Sequence, residues 1–265
     1  MNKSSIPKII HYCWFGNAKK TKLIKKCIAS WKTHLPDYDF MEWNEGNSDL
    51  THSFVKEAYR LKKWAFVTDY IRLKVLYDYG GIYMDTDMMV LKSFNNLLLN
   101  DCFLGAEDHE YINFAIVGSS KKNDFIKKCL SEYELIDEKS ILNWGHISIP
   151  KIVTDVFRRE YNHFNPFDKL IQVENIVVYP RDWFYPLPFE NKADNKNFKN
   201  YIKKDTYAIH LWASSWIEYT EFQYFRNKQY GKGFWMVFEN IFLKGKISIS
   251  YFRKIASCIK ESIKK

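Results

Sequence analysis

Residues 79–91 read YGGIYMDTDMMVL, an apolar run that contains two aspartates. Aspartate is almost never fully buried unless it is paired or bound to a metal. Because side chains alternate along a strand, Asp85 and Asp87 are predicted to point to the same side of it. Two converging carboxylates repel each other unless a cation lies between them, and Mg²⁺ or Mn²⁺ takes oxygen ligands of this kind. The segment therefore predicts a buried strand that carries a divalent metal site, with a water-facing strand end or a simple turn as the alternative.

Strand-like and helix-like segments alternate along the rest of the chain. Strands are predicted at 7–15, 38–44, 79–91, 102–107, 112–119, 175–180 and 206–212, and helices at 19–34, 51–61, 63–79, 122–134 and 150–159. This alternation predicts an α/β fold in which helices flank a mostly parallel sheet. Residues 165–205 are rich in Pro, Asn, Asp and Lys and are predicted to be mostly loop. We expect one domain over 1–230 and a basic helical extension over 231–265.

The helix predicted at 63–79 carries a charged pair, Asp69 and Arg72, which share a face because they are three residues apart. One interpretation is a surface ion pair. However, this helix is apolar nearly all round, which indicates that it is buried, and a buried ion pair needs further partners. A sugar hydroxyl for Asp69 and a phosphate or sugar oxygen for Arg72 would supply them.

Two further candidate residues lie in the C-terminal parts of predicted strands. Trp14 ends the first strand, at the edge where open α/β sheets bind ligands, and it is interpreted either as a core residue or as a platform for a base. His210 lies in the last predicted strand, and it is either a structural histidine or a third metal ligand.

Four blocks of the sequence together resemble a known family. The blocks are IPKIIHYCWFG, YDFMEWNE, AFVTDYIRLKVLYDYGGIYMDTDM and AIHLWASSW, in this order between about residues 6 and 216. They resemble the D-x-D glycosyltransferases of family 32, which include capsular-polysaccharide and O-antigen sugar transferases and α-1,6-mannosyltransferases. They are more distantly similar to the glucosyltransferase domain of the large clostridial toxins. The resemblance implies a GT-A type fold, a nucleotide-sugar donor, a divalent metal and retention of anomeric configuration.

The resemblance also implies roles for individual residues. Asp85 and Asp87 correspond to the metal and diphosphate site, and His210 is favoured as the third metal ligand because Leu211 stands where the toxins have a glutamate. The remaining residues are expected at the donor: Asp69 and Arg72 at the sugar, Trp14 against the base, Tyr83 beside the D-x-D, Asn113 as a sugar-binding amide, and Ser214 and Trp216 in a C-terminal loop.

These roles predict a metal-dependent retaining glycosyltransferase with Mn²⁺ or Mg²⁺ and a UDP-sugar donor. The sugar is expected to be of the galactose, N-acetylgalactosamine or glucose class, and the acceptor an oligosaccharide or a polyprenyl-linked saccharide of surface polysaccharide synthesis. A GDP-mannose-dependent mannosyltransferase is the alternative. A metal-dependent phosphoryl or nucleotidyl transferase is less favoured because no glycine-rich phosphate loop is present. A nucleic-acid-binding module is disfavoured because no such motif is present.

The charge of the chain is concentrated at its C-terminus. Of the net charge of +9, residues 231–265 contribute +6, from eight Lys or Arg and two Glu. Apolar residues recur at helical spacing there, namely Phe234, Trp235, Phe238 and Phe242, followed by Ile255, Ile259 and Ile263. This pattern is typical of two packed terminal helices or of a basic amphipathic segment on an anionic membrane surface. Without a signal-peptide pattern, the protein is expected in the cytoplasm, with peripheral binding to the inner face of the plasma membrane as the second expectation.

Overall fold

The computed structural model describes residues 5–136, 147–213, 221–226, 228–242, 245 and 248–264. The chain divides into two compact units, Met1–Ala213 and Ser214–Lys265. The domain boundary predicted between residues 230 and 231 stays a prediction. Among the helices of the described ranges, none is long and apolar enough to cross a bilayer.

A seven-stranded sheet forms the centre of the first unit. Its strands are β1 (Ile9–Cys13), β2 (Asp39–Trp43), β3 (Gly81–Met84), β5 (Cys102–Ala106), β6 (Ile112–Ser119), β7 (Ile171–Val173) and β8 (Ile176–Tyr179), in the order β2-β1-β3-β6-β5-β8-β7. β1 is parallel to β2 and β3, and β5 is parallel to β8, whereas β6 and β7 run against their neighbours. Five of the seven strands therefore share one direction, and the predicted mostly parallel α/β sheet is confirmed.

Both faces of this sheet are buried, and the alternation within β3 shows how. Ile82 and Met84 pack on one face with Trp31 of helix α1 (Lys22–His34), while Tyr83 between them packs on the other. The second face is covered by α2 (Ser53–Arg60), α3 (Trp64–Tyr79), α4 (Asp124–Glu134) and α5 (Ile149–Tyr161). Strands buried on both faces have nearly continuous apolar sequences, which is why residues 79–91 are apolar almost throughout.

The single strand predicted at 79–91 is wrong, because the structure divides it in two. β3 ends at Met84, and a second strand, β4 (Met88–Val90), pairs antiparallel with β9 (Ala208–His210) in a separate two-stranded sheet. Between them, the carbonyl of Asp85 accepts a hydrogen bond from the Met88 amide, which closes a turn over Asp85, Thr86 and Asp87. The two aspartates therefore converge through a turn and not through strand alternation.

Helix α3 ends where the sequence predicts, because Gly80 and Gly81 follow it with φ angles of 67° and 108°. A side chain at Gly80 would also place its Cβ 2.6 Å from the backbone nitrogen of Lys121. The prediction of mostly loop at 165–205 is wrong in part. The region contains β7 and β8, which close the edge of the sheet, and a 3-10 helix over Phe189–Tyr201. Sequence composition alone missed this helix, because polar residues dominate it.

The second unit consists of α6 (Glu221–Arg226), α7 (Tyr230–Phe242) and α8 (Ile249–Lys264). Helix α6 packs against both of the others through Phe225, which is fully buried. A Cβ at Gly233 of α7 would lie 2.8 Å from the ring of Phe225, so only glycine permits this close approach. Polar contacts complete the packing, including the one between Asn240 and Glu221 at 3.0 Å.

We predict that Gly118→Ala destabilises the first unit. A Cβ on Gly118 in β6 would lie 2.0 Å from the ring of Phe103 in β5, and overpacking of this kind costs about 1–3 kcal/mol. Urea unfolding followed by circular dichroism measures the loss. Gly46→Ala is the matched control, because its new Cβ meets only a side-chain oxygen of Asn44, at 3.2 Å, in a surface turn. Equal stability of the two variants would contradict the packing described here.

Candidate active site

Polar side chains gather at one edge of the seven-stranded sheet. Trp14 follows β1, Asp85 follows β3 and Glu107 follows β5, and these three strands point the same way. Asn113 lies near the start of β6, which runs in the opposite direction and therefore begins at this edge. The carboxyl edge of a mostly parallel sheet is where α/β proteins bind ligands. The fold thus places the ends of four strands, with these four residues, at the same edge of the sheet.

The small second sheet adds His210 to this edge. Met88 of β4 pairs with His210 of β9, and this register places the imidazole beside the preceding residue, Asp87. Nε2 of His210 lies 3.0 Å from Oδ1 of Asp87, while the Ala213 amide donates to Oδ2 at 2.8 Å. The Leu211 amide also donates to the Asp87 carbonyl, at 3.1 Å. Asp87 is therefore fixed by the segment that follows β9.

Asp85, Asp87 and His210 form a group that can hold a metal ion. Each offers one ligand atom, and these atoms lie within 4.8 Å of one another. Carboxylate oxygens are the ligands that Mg²⁺ and Mn²⁺ prefer, so the two aspartates would suit such an ion. Nδ1 of His210 is buried and has no hydrogen-bond partner. Buried polar atoms are nearly always satisfied, so the unpaired nitrogen of His210 is compatible with a ligand bound at this group.

The charges of the group point to the same conclusion. Burial and the neighbouring Asp87 raise the pKa of Asp85, although Arg72 opposes them. Burial also works against ionisation of Asp87, but His210 and the Ala213 amide outweigh it and lower the pKa of Asp87. Burial alone would lower the pKa of His210, but the attraction and hydrogen bond of Asp87, together with the charges of Asp85 and Glu107, outweigh burial and raise it. A divalent cation would relieve the repulsion between the two carboxylates.

Arg72 joins the metal-binding turn to the core. Its side chain is only 6% exposed, and its Nη2 lies 3.1 Å from Asp69 and 3.4 Å from Asp85. Its Nη1 donates to the carbonyl of Phe114 at 2.8 Å, and its guanidinium lies 4.6 Å from the ring centroid of Tyr83. The sequence predicted a buried Asp69–Arg72 pair with further partners. The structure supplies partners from the protein itself, and the expected contact of Arg72 with the donor stays a prediction.

Tyr83 and Asp69 complete this buried group. The hydroxyl of Tyr83 donates to Oδ1 of Asp85 at 2.9 Å, so the tyrosine and Arg72 hold the same carboxylate oxygen. Asp69 accepts a hydrogen bond from the Ile149 amide at the start of α5, and burial raises the pKa of Asp69 to about 7. The donor-binding role predicted for Asp69 also stays a prediction, since its structural partners account for its position.

Glu107 is a candidate that sequence reasoning missed. Its Oε2 accepts a hydrogen bond of 2.6 Å from the side-chain amide of Asn113, whose own oxygen accepts from the Ala115 amide at 2.7 Å. The amide of Asn113 is therefore oriented with its nitrogen toward Glu107. Burial raises the pKa of Glu107, and the nearby His210 opposes this shift. The only sequence signal was an acid directly after an apolar strand, as at Asp85.

Tyr185 is a second residue that the sequence did not indicate. Its hydroxyl donates to the carbonyl of Asn113 at 3.3 Å and accepts from the Ile116 amide at 3.1 Å. Its ring also stands edge-on to the imidazole of His210, with 6.0 Å between the centroids. Tyr185 thus connects the Asn113 end of the site to the metal group.

Trp14 lies at the expected position and is only half-buried. Its indole nitrogen donates to the carbonyl of Ala18 at 2.6 Å, and the ammonium of Lys20 lies 5.1 Å from its ring. A fixed, partly exposed indole next to a basic residue suits an anionic aromatic ligand. Ser214 and Trp216, the other two predicted donor residues, lie outside the described residues.

The comparisons with known proteins agree with this geometry. Residues 21–104 match the family model described as "Glycosyltransferase sugar-binding region containing DXD motif". That range contains Asp69, Arg72, Asp85 and Asp87. The predicted resemblance to the D-x-D glycosyltransferases is therefore confirmed over this part of the chain.

Two similar proteins are named as glycosyltransferases. The chain is 29% identical to mouse lactosylceramide 4-alpha-galactosyltransferase over 153 residues, which is 55% of this chain and 40% of that protein. It is 25% identical to human alpha-1,4-N-acetylglucosaminyltransferase over 162 residues, which is 57% of this chain and 44% of that protein. The chain thus spans less than half the length of these two relatives.

Two of the solved structures to which the chain is similar are glycosyltransferases, each at a TM-score below 0.5. PaToxG glycosyltransferase is 20% identical with a TM-score of 0.44, over 59% of this chain and 70% of that one. The galactosyltransferase LgtC, solved with donor and acceptor sugar analogs, is 13% identical with a TM-score of 0.44, over 78% of this chain and 88% of that one.

We predict that Mn²⁺ raises the melting temperature of the wild-type protein and that Asp87→Asn abolishes this increase. A ligand that binds only the folded state stabilises it, and the substitution removes one of two carboxylate ligands. Differential scanning fluorimetry with Mn²⁺ and with a chelator measures the effect. Asp155→Asn is the matched control, because Asp155 is about half exposed and pairs only with Lys151. An unchanged Mn²⁺ response in Asp87→Asn would place the metal elsewhere.

Proposed function

We propose that this protein transfers a hexose or N-acetylhexosamine from a UDP-sugar to a saccharide acceptor, with retention of anomeric configuration. The observation that carries the proposal is the group of Asp85, Asp87 and His210 at the carboxyl edge of the sheet, next to a sugar-binding region of the DXD family. Carboxylates with a divalent ion suit a diphosphate, because such ions bind one or two carboxylates together with phosphate oxygens. Trp14 at the same edge suits the uracil ring.

Asp85, Asp87 and His210 would hold Mn²⁺ or Mg²⁺ in this reaction. When bound, the ion supplies positive charge that stabilises the departing diphosphate. Arg72 and Tyr83 orient the Asp85 carboxylate through its Oδ1 atom, and the Ala213 amide orients the Asp87 carboxylate through its Oδ2 atom. These carboxylates are therefore preorganised, which lowers the cost of rearrangement when charge develops.

Asn113 and Glu107 are placed to bind the hydroxyl groups of a sugar. One amide hydrogen of Asn113 and its oxygen are engaged within the protein, which leaves its second amide hydrogen for a ligand. Glu107 retains an oxygen that can accept from a hydroxyl. Contacts of this kind discriminate strongly between sugars that differ at one hydroxyl, because a missing partner leaves a buried polar group unpaired.

The relatives narrow the proposed substrates. Their names describe α-1,4 transfer of galactose and of N-acetylglucosamine, and one names lactosylceramide, a glycolipid, as its acceptor. We accordingly propose UDP-galactose or UDP-N-acetylglucosamine as donor and a lipid-linked saccharide as acceptor. The glucose and N-acetylgalactosamine donors expected from the sequence belong to the same test.

The test measures free UDP after incubation with each UDP-sugar and Mn²⁺. One UDP-sugar is expected to release UDP far faster than the others and than GDP-mannose. Asp85→Asn should lower kcat by about 10²–10³, since preorganised charge at the leaving group is worth that much. Asp155→Asn should keep wild-type turnover. Full activity of Asp85→Asn, or release from GDP-mannose alone, would contradict the proposed chemistry.

A second prediction concerns Trp14. Stacking holds the base equally in the ground and transition states, so Trp14→Ala should raise the KM for the donor and leave kcat nearly unchanged. Stacking of a base on an aromatic ring contributes about 1–3 kcal/mol, which corresponds to a KM increase of roughly 5- to 150-fold. Trp14→Phe should recover most of the loss. A fall in kcat at constant KM would instead assign Trp14 to the packing of the site.

A further inference from the structure

The second unit exposes a continuous stripe of aromatic rings along α7. Its members and their exposed fractions are Trp235 (64%), Phe238 (51%) and Phe242 (70%), while the neighbouring Phe234 (56%) also contacts the ring of Phe225. The ring centroids of Trp235 and Phe238 are 6.0 Å apart, and those of Phe238 and Phe242 are 4.4 Å apart. Trp235, Phe238 and Phe242, the aromatic stripe, thus contact one another in sequence on the outer side of the helix. Neighbouring large aromatic side chains in water are costly, and such patches mark interaction surfaces.

The opposite side of α7 faces the interior of the unit, so the outward side of the helix is not needed for this packing. Gly233 and Asn240, on that side, are buried against α6, where a glycine and a hydrogen-bonded amide fit the interface. The helix therefore turns Gly233, Val237 and Asn240 toward the interior of the unit and presents Trp235, Phe238 and Phe242 outward. This is the reverse of the arrangement expected for a helix whose only partner is its own domain.

Helix α8 differs from the expectation drawn from its isoleucines. Ile255 and Cys258 are buried and Ile259 packs against them, so this side of α8 serves internal packing and is closed to any other partner. Ile249, Phe252 and Ile263 remain exposed, with Arg253 and Lys260 also exposed on the same helix. Of the apolar residues predicted either to pack or to face a membrane, Ile255 and Ile259 therefore pack within the unit, whereas Trp235, Phe238 and Phe242 of α7 are exposed.

The charge of this unit favours one class of partner. Residues 221–265 contain ten Lys or Arg and three Glu. A second copy of the chain would bring the same positive charge to the interface and would be repelled, whereas an anionic lipid surface is complementary to it. Glu239 lies beside the aromatic stripe and accepts a hydrogen bond of 3.0 Å from the Trp235 indole. Tryptophan and phenylalanine facing outward on a helix within a basic unit are typical of interfacial membrane binding.

We propose that the aromatic stripe of α7 inserts into the interfacial region of an anionic bilayer, held there by the basic residues of the same unit. Lysines and arginines attract the unit to the anionic headgroups, and the rings then leave water for the boundary with the acyl chains. This binding does not depend on the chemistry proposed for the first unit, so either proposal can fail without the other.

The experiment compares binding of the full chain to phosphatidylcholine vesicles with and without phosphatidylglycerol. The wild-type protein should sediment with the anionic vesicles and much less with the neutral ones. The triple variant Trp235→Ser, Phe238→Ser, Phe242→Ser keeps every charge and should bind the anionic vesicles at least about tenfold more weakly, because three buried rings are lost. Release of UDP by this variant in detergent-free solution should be unchanged.

The matched control replaces three similarly exposed apolar residues of the first unit, Leu99→Ser, Phe164→Ser and Leu170→Ser. This variant should bind vesicles like the wild type. Insertion itself is measured with brominated lipids, which quench a tryptophan that enters the bilayer. Part of the fluorescence of the wild type should be quenched, and Trp235→Phe should lose that quenching while still sedimenting.

Three outcomes would overturn the proposal. Equal vesicle binding by the wild type and the aromatic-stripe variant would show that the protein binds through its charges alone, without the stripe. Binding without any quenching that depends on Trp235 would exclude insertion of the stripe. A wild-type dimer in light scattering that the stripe variant loses, together with no vesicle binding, would assign the aromatic stripe to a second copy of the chain.

Discussion

The site depends on the ion pairs that the buried guanidinium of Arg72 makes with Asp69 and Asp85. A charge so far from water persists only when partners surround it, and removal of one partner is strongly destabilising. Arg72 contacts Asp69 of its own helix, the Phe114 carbonyl of β6 and the Asp85 carboxylate of the turn after β3. One side chain therefore ties helix, sheet and turn together. Asp69 and Asp85 thus meet the guanidinium of Arg72, while Asp87 meets the imidazole of His210.

The interruption of the strand at Asp85 connects the core to function. If residues 79–91 formed one continuous strand, β4 would remain in the large sheet and could not pair with β9. The turn releases β4 into a second sheet, and that pairing delivers His210 and the Ala213 amide to Asp87. The site is thus assembled from the edges of two sheets. One side is anchored by Arg72 and Tyr83 and the other by the segment after β9.

In the C-terminal unit, the same amphipathic sequence pattern serves internal packing in α8 and leaves aromatic residues exposed in α7. Both of its long helices are amphipathic in sequence, but only packing decides which side of each faces inward. Helix α8 uses Ile255 and Cys258 inside the unit, whereas α7 uses Gly233 and Asn240 and leaves Trp235 and its neighbours in water. Glycine at the contact with Phe225 lets the helices approach closely without a large side chain. The large aromatic residues are consequently available for a partner.

The sequence by itself determined the alternating α/β order, the buried α3 helix that ends at Gly80, and the residue types of a metal site at Asp85 and Asp87. These features depend on local periodicity, on the conformations open to glycine and on the incompatibility of carboxylates with an apolar run. The sequence also favoured His210, through resemblance to a family. Only the tertiary structure decided that the aspartates lie in a turn, that Glu107 and Tyr185 join them, and that the contacting rings of Trp235, Phe238 and Phe242 face outward on α7. Each of these depends on which distant segments pair, because strand register and helix packing are set by contacts between residues far apart in the chain.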